Sequence, residues 1–530
     1  MSSIYGIFSG SHGHSCAFVK DGQIVSVIEE ERLTRIKAGD YFDKHADLSI
    51  KKIQEITGVP LLKADHRVFV EPCPKLWATE NTKGLYETMS HHDAHCYGAY
   101  FTSGMSGKVM TISYDGGGES SMLKVFLCEN NKMQLVLRGP FSTYGSLSHV
   151  WGFSTSSMKY YDNFGTGIWR MCKDEGKLMG MAPEGKYNQE IYNMISSCLN
   201  YKDLRFFPSG TASKTQFVAD YLYKLGYFES LEGMQTYCYN LQKFTEDIFL
   251  KFIEDLHKLY PEYNQICFAG GLFANVKLNQ KINELPWVKE IYIMPSMGDE
   301  GLALGACIKK AVELGEWKET KQFTNVYFGP KYSDEEIFEI SKQYKLERNI
   351  YRPDEMAKEI NEGAILGWFQ DGSEHGPRAL GARSILVRPT DIGTHKVLNN
   401  RLKRYETMPF APIVMEEYFD EIFDCGKSKY SAEFMTICYN TNEDWIKKIP
   451  AVIQKSDKTA RPQIVKKNKL PKFWEILNEY YKLSEIPVLL NTSFNSHNEP
   501  IIENPHQAFK SLKKNIIDKL IIGNYVYSNK

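Results

Sequence analysis

A chain of 530 residues carrying 64 Lys and Arg against 65 Asp and Glu is nearly neutral, which gives no electrostatic case for a nucleic-acid or membrane-surface protein. It is too long for one typical core, so two domains or more are expected. No run of about 20 apolar residues occurs, which excludes a membrane-spanning helix, and the eleven cysteines lie scattered without a CxxC pair, as expected of reduced thiols in cytoplasm.

Ile4 to Ser9 alternates as a first strand and not as a signal peptide. Ser11-His12-Gly13-His14-Ser15 comes next, and His12 and His14 are placed to serve as general bases near a reacting hydroxyl. The plainer reading is a glycine-containing turn with exposed imidazoles. Cys16–Val19, the turn Lys20-Asp21-Gly22-Gln23 and Ile24–Ile28 predict a hairpin, since Asp-Gly between apolar runs is a strong short-range signal. The run Glu29–Lys37 is dense in charge, which taken alone means a solvated face.

His91 and His95 stand at i and i+4 in Ser90-His91-His92-Asp93-Ala94-His95, so a helix would put both imidazoles on one face. A strand over Lys108–Tyr114 then runs into the loop Asp115-Gly116-Gly117-Gly118-Glu119, with Met122–Cys128 and Met133–Leu137 flanking a turn at Glu129–Lys132. Strand, polar loop and hairpin thus occur twice. The repetition predicts an α/β fold with duplicated ribonuclease-H-like halves of the actin-type ATPase kind, whose polar loops face a cleft. Gln265–Ala269 is a buried-type strand leading into Gly270-Gly271 and a helix bearing Asn275 and Asn279, an elbow compatible with a nucleotide because free amides at a helix start favour anions. Gly116, Gly117, Gly118, Gly270, Gly271, Asn275 and Asn279 are therefore the candidate nucleotide contacts. Ile291–Pro295 is a further strand, and Asp299 lies in the glycine-bearing loop after it. In an actin-like cleft Asp115 and Asp299 would point inward beside His91 and His95. Two His and two Asp make a mixed N/O site suited to Fe(II), Zn(II) or Mn(II). Val312 to Tyr332 is polar and irregular, which sets domains at 1–335 and 350–530.

In the second domain, Ala364–Phe369 and Ser384–Val387 read as strands around the loop Asp371–Ser384. Its glycines allow close backbone approach, and the forked donors of Arg378 and Arg383 match phosphate or carboxylate oxygens. Lys403-Arg404 precedes Met408-Pro409-Phe410-Ala411-Pro412, Arg461 lies in Thr459–Gln463, and Val488–Asn495 is a strand ending in amides and hydroxyls. The side-chain amides of Asn491 and Asn495 can orient a neutral polar group through donor and acceptor together.

The segment GPRALGARSIL at 376–386, with Asn491–Asn495 and Asn498-Glu499-Pro500-Ile501 downstream, resembles the carboxyl-terminal half of the O-carbamoyltransferases, which include the tobramycin and cephamycin carbamoyltransferases and the nodulation protein U group. The resemblance implies that His91, His95, Asp115 and Asp299 hold a divalent metal, Fe(II) being expected first. It implies that His12 is a closer match to the family's histidine than His14. It makes Arg32, Arg35 and Lys37, within a segment similar to EEERxTRxK, candidates for phosphate contact. It further implies a YrdC-like second domain that binds carbamoyl phosphate and ATP with Mg2+ through Arg378, Arg383, Lys403, Arg404, Arg461, Asn491 and Asn495. Met408 stands where many members have Arg, and Lys458 replaces a glycine of the family's DGTAR, so anion contacts are expected to be redistributed toward Lys403, Arg404 or Lys458. The activity that the resemblance implies is an ATP-dependent transfer through a carbamoyl adenylate to an acceptor hydroxyl. Threonylcarbamoyl transfer to tRNA and a non-catalytic nucleotide-binding protein are the rival readings. The charge balance speaks against the first and the retained histidines and arginines against the second. Sugars, aminoglycosides, macrocycles, lipo-oligosaccharides and nucleosides all stay open as acceptors, and a homodimer is one candidate form.

Overall fold

The computed structural model describes residues 2–10, 12–37, 46–71, 86–118, 121–139, 145–157, 174–208, 214–403, 409–424 and 426–530. They form two compact units. The first holds the chain up to Gln23 together with Val59–Gln322; the second holds Ile24–Lys37, Asp47–Gly58 and Phe323–Lys530. The sequence places residues 1–335 in one domain. The structure instead packs two early segments with the late half, because backbone polar groups there are satisfied by it: Val27 N–H and Ser26 Oγ–H both donate to the Phe328 carbonyl, at 3.1 and 3.0 Å.

The strands up to the end of the first unit are β1 (Ser3–Phe8), β2 (Ser15–Lys20), β3 (Gln23–Glu29), β4 (His66–Val70), β5 (Glu87–Met89), β6 (Val109–Tyr114), β7 (Leu123–Glu129), β8 (Lys132–Arg138), the hairpin β9 (Leu199–Lys202) and β10 (Arg205–Pro208), β11 (Gln265–Ala269) and β12 (Glu290–Ile293). β1 pairs antiparallel with β2 and parallel with β4, which pairs parallel with β5. β6 pairs antiparallel with β7 and parallel with β11, which pairs parallel with β12. The two sheets thus repeat one plan, as the duplicated halves require. β6 is buried along its whole length, as a central strand rich in β-branched residues should be. Both expected hairpin turns have paired positive φ, at Asp21 and Gly22 (53° and 69°) and at Asn130 and Asn131 (51° and 61°), the twist that suits a two-residue connection.

Two helices lie on these sheets. His91–Thr102 starts at Ser90, whose side chain accepts from Asp93 N–H, and Leu302–Glu313 comes after a single turn at Asp299–Gly301. Glycines let the layers close. A Cβ on Gly305 would stand 2.0 Å from the Ala94 carbonyl oxygen, and one on Gly6 2.0 Å from that of Ala303.

The second unit is built on β13 (Glu347–Ile350), β14 (Leu366–Phe369), β15 (Arg383–Val387), β16 (Ala411–Met415), β17 (Phe423–Asp424), β18 (Tyr439–Thr441), β19 (Thr459–Ala460), β20 (Gln463–Val465), β21 (Val488–Ser493), β22 (Lys519–Ile522) and β23 (Tyr525–Ser528). Eight of them form a sheet in the order β13-β23-β22-β14-β15-β21-β16-β20. β14 and β15 are antiparallel neighbours, so the arginine loop is the connection between them. Asn491 sits in the sheet opposite Leu386 on one side and Ala411 on the other. Among the described residues, no helix is long and apolar enough to cross a membrane.

The helix contact at Gly305 sets two effects against each other. Alanine gains about 1 kcal/mol over glycine in a helix interior, while a methyl driven into a backbone oxygen that cannot move away costs roughly 1–3 kcal/mol or more. Gly305→Ala should therefore lower stability in urea denaturation. A neutral or stabilising result would mean that the two helices separate without cost.

Candidate functional site

The four residues that the sequence groups as metal ligands come together in the first unit. His91 and His95 project from one face of their helix, Asp115 stands at the end of β6, and Asp299 opens the turn before Leu302. One ligand atom from each lies within 4.8 Å of all the others, and all four residues are buried. His91 Nε2 is 3.4 Å from Asp299 Oδ1, and His95 Nε2 is 3.5 Å from Asp115 Oδ2 and 3.6 Å from Asp299 Oδ1. These spacings are long for hydrogen bonds. They suit donors that share an ion, since ligands about 2.1 Å from a common centre stand roughly 3.0–3.4 Å apart at angles of about 90–109°. Both ring nitrogens of His91 and of His95 are buried without a hydrogen-bond partner. Orphaned imidazole nitrogens beside two carboxylates fit a divalent cation of the N/O-preferring class.

The electrostatics lead the same way. Burial alone would push the His95 imidazole down, but the carboxylates of Asp115 and Asp299 outweigh it and raise the pKa to about 9. Burial and the neighbouring Asp299 press Asp115 up, yet His95 and His91 bring it to about 2. Asp299 is held well below the usual carboxylate range by His91 and His12 in spite of its burial. Two ionised acids in a dry pocket demand positive charge, as a proton or as a metal ion.

Glycines and backbone amides hold this cluster in place. Gly271 N–H donates to Asp115 Oδ2 at 2.7 Å, and Gly116 N–H donates to Oδ1. Gly270 N–H goes to the Met297 carbonyl at 2.7 Å and Gly118 N–H to that of Ser121 at 2.9 Å. Gly270 has φ +104°, and a Cβ there would stand 2.2 Å from the Tyr114 carbonyl oxygen; a Cβ on Gly118 would strike the His91 side chain. Of the expected nucleotide contacts of this unit, these amides point at Asp115 and at local carbonyls. Asn275 likewise caps the helix Val276–Asn283 by accepting from Leu278 N–H, and it exchanges hydrogen bonds with Gln242. Asn279 donates to the Phe273 carbonyl. Gly117 has no hydrogen bond to a described residue that would mark it either way. The spare His92 is structural, its ring bonded to Ser113 Oγ and to the Ser121 carbonyl.

Of the two early histidines, His12 reaches the cluster, with Nδ1 3.3 Å from Asp299 Oδ2 and a side chain 26% exposed. His14 is buried at 6% exposure. Gly13 between them has φ +67° and packs against Asp299, so the chain turns there and strand alternation does not apply. One neighbour escaped the sequence reading. His149, held by Ser146 Oγ at 2.9 Å, lies against Gly116, and burial lowers its pKa while the charge of Asp115 opposes that. A single histidine in the helix Leu147–Ser157 carries no spacing signal.

In the second unit the candidate residues divide. Arg383 is fully buried and spends its fork on the carbonyls of Gln370, Asp371, Ala382 and Glu503 while stacking 3.6 Å over Phe369. It therefore braces the loop. Arg32 and Arg35, both in this unit, also meet protein groups. Arg32 bonds Glu29 Oε2 at 3.1 Å and the Gly376 carbonyl at 2.7 Å, and Arg35 donates to the carbonyls of Ile501 and Pro500. Asn495 donates to the carbonyls of Ser496 and Glu499. Lys403 is exposed in a left-handed turn, Lys37 and Arg378 are half-buried, and Lys458 pairs with Glu443 at 2.7 Å. Arg404 and Met408 lie outside the described residues. Arg461 differs from Arg383 in its electrostatic surroundings. Burial lowers its pKa with only the Cys438 thiol opposing, where Arg383 has Glu503 and Glu374 to oppose it. Asn491 donates to Ala379 O and Gln463 Oε1, at 3.0 and 3.2 Å, and keeps a buried, unpartnered Oδ1.

The family description "Carbamoyltransferase N-terminus" matches residues 41–308 and "Carbamoyltransferase C-terminus" residues 357–529. An uncharacterized protein of Methanocaldococcus jannaschii, MJ1051, is 31% identical over 99% of this chain and 99% of its own. Nodulation protein NolNO of Sinorhizobium fredii is 27% identical over 97% of this chain and 78% of its own. Among solved structures, component A of the (R)-2-hydroxyglutaryl-CoA dehydratase of Acidaminococcus fermentans covers 59% of this chain and all of its own, at 16% identity and a TM-score of 0.38.

The raised His95 sets a pH dependence for protein kept in chelator. A raised pKa contributes stability that is fully present below the ordinary value of 6.5 and is lost as pH rises through about 9. Urea denaturation should show stability falling across that window in wild type and not in His95→Ala. Flat or rising wild-type stability would mean that His95 does not feel the two acids.

Proposed function

The chain belongs to the carbamoyltransferase family, and from that premise we propose that it is an ATP-dependent O-carbamoyltransferase, taking its carbamoyl group from carbamoyl phosphate and giving it to a hydroxyl of a small-molecule, sugar or nucleoside acceptor. The observation that carries this reading is the buried His91–His95–Asp115–Asp299 cluster with its orphaned imidazole nitrogens.

The chemistry needs two steps. In the second unit, read as the YrdC-like half, water releases phosphate from carbamoyl phosphate and leaves carbamate. A carbamate oxygen then attacks the α-phosphorus of Mg2+-bound ATP and expels pyrophosphate. In the first unit the acceptor oxygen attacks the carbonyl carbon of the carbamoyl adenylate, its proton passes to a base, and the bond to AMP breaks. Adenylation supplies the leaving group that carbamate lacks.

Each residue role rests on its surroundings. Arg461, desolvated and without a carboxylate partner, favours an anion beside it, and Arg378 and Lys403 add charge in the same unit. Asn491 offers its Oδ1 to the carbamoyl NH2. His12, partly exposed and oriented by Asp299, is the base for the acceptor hydroxyl, and its exposure supports it over His14. A divalent ion held by His91, His95, Asp115 and Asp299, Fe(II) first and Zn(II) or Mn(II) as alternatives, would supply positive charge to the oxygen that becomes negative during acyl transfer.

The test is pyrophosphate release from ATP that depends on carbamoyl phosphate. Arg461→Ala should lower it by about 10–100-fold, the loss of a charged hydrogen bond, while His95→Ala leaves it intact. Wild-type protein without such release would overturn the proposal. Equal losses in both variants would replace the two steps by one composite site.

A further inference from the structure

The early segment that packs with the second unit grips two of its loops. Arg378 rides on a short bridge, Pro377–Leu380, between two glycines with positive φ, Gly376 at +111° and Gly381 at +103°. The far end is gathered by Glu374, whose Oε1 accepts from the N–H groups of Leu380, Ala382 and Arg383 at 2.8, 2.8 and 2.9 Å. The near end is pinned at Gly376, where N–H donates to Glu29 Oε1 at 2.6 Å and C=O accepts from Arg32 at 2.7 Å. Three residues further along the chain, Arg35 closes its fork on the carbonyls of Pro500 and Ile501, at 2.6 and 2.7 Å. Those carbonyls belong to the turn that also holds Asn495, through Glu499 O at 2.7 Å. Glu29 and Arg32 are buried, so these are fixed contacts. A forked donor that meets two carbonyls fixes orientation as well as distance, which a single ammonium cannot do.

We propose that Glu29, Arg32 and Arg35 are positioning residues of the carbamoyl phosphate and ATP site, holding the Gly376–Gly381 bridge and the Asn498–Ile501 turn where Arg378 and Asn495 meet the substrates. This rests on the function proposed above. It reassigns the arginines of the early charged run from touching phosphate to shaping the loops that touch it. The dense charge of Glu29–Arg35 is then a buried clamp and not a solvated face. The second unit is complete only with residues from the start of the chain.

Arg35 gives the cleaner test, because its hydrogen bonds go to two backbone carbonyls, whereas Arg32 is bonded to the Glu29 carboxylate. Displacing a substrate-orienting group by about 1 Å can cost on the order of 10²-fold. In the full-length protein, Arg35→Met should raise the KM for carbamoyl phosphate in pyrophosphate release about 10-fold or more, with a smaller change in kcat and an unchanged thermal transition. If Arg35→Met does not fold, Arg35→Lys, which keeps the charge and loses the fork, reads the same effect. A folded variant with wild-type KM would overturn the positioning role alone. Wild-type protein that releases no pyrophosphate with carbamoyl phosphate would overturn the function on which that role rests.

Discussion

Two carboxylates, Asp115 and Asp299, are buried next to two buried imidazoles, and much of the first unit is arranged around that pairing. Isolated ionised acids out of water are costly, so the cluster persists only with positive charge near it and with every ligand held. The holding is distributed over four elements. Helix His91–Thr102 sets the imidazole spacing, β6 delivers Asp115, the Gly270-Gly271 elbow donates to it, and the turn before Leu302 delivers Asp299. The close glycines Gly6, Gly118, Gly270 and Gly305 let these elements approach within backbone contact.

The first unit is legible in the sequence because its signals are local. Strand alternation, the Asp21-Gly22 and Asn130-Asn131 turns and the HxxxH spacing each act within a few residues. The repetition of strand, loop and hairpin then places Asp115 at a strand end, and the strand over Ile291–Pro295 places Asp299 in the loop after it. Asn275 and Asn279 are ambiguous in the sequence because a helix start offers the same amides to a phosphate or to a capping side chain, and only the fold shows Asn275 accepting from Leu278 N–H. His149 carries no pattern at all. It meets Gly116 through tertiary packing alone.

In the second unit the same residue type does opposite jobs, and sequence cannot separate them. Arg383 and Arg461 both lie in glycine- or proline-marked segments. Arg383 is surrounded by carbonyls and by Glu503 at 3.9 Å, whereas burial of Arg461 is opposed by the Cys438 thiol and by no carboxylate. A buried guanidinium gripped by carbonyls beside a carboxylate is architecture; one without an anionic neighbour favours an anion. The assignment of Ile24–Lys37 to this unit is hidden for a related reason. A charged run looks solvated until its partners, here Gly376, Pro500 and Ile501, are known.

The central claim is that the His91–His95–Asp115–Asp299 cluster is a metal centre. Plasma mass spectrometry of protein purified without chelator tests it most directly, read beside Asp299→Ala and His91→Ala. The account predicts about one transition ion per wild-type chain, in keeping with a single N/O donor set, and loss of it in both variants. Variants that keep the wild-type metal content would contradict it.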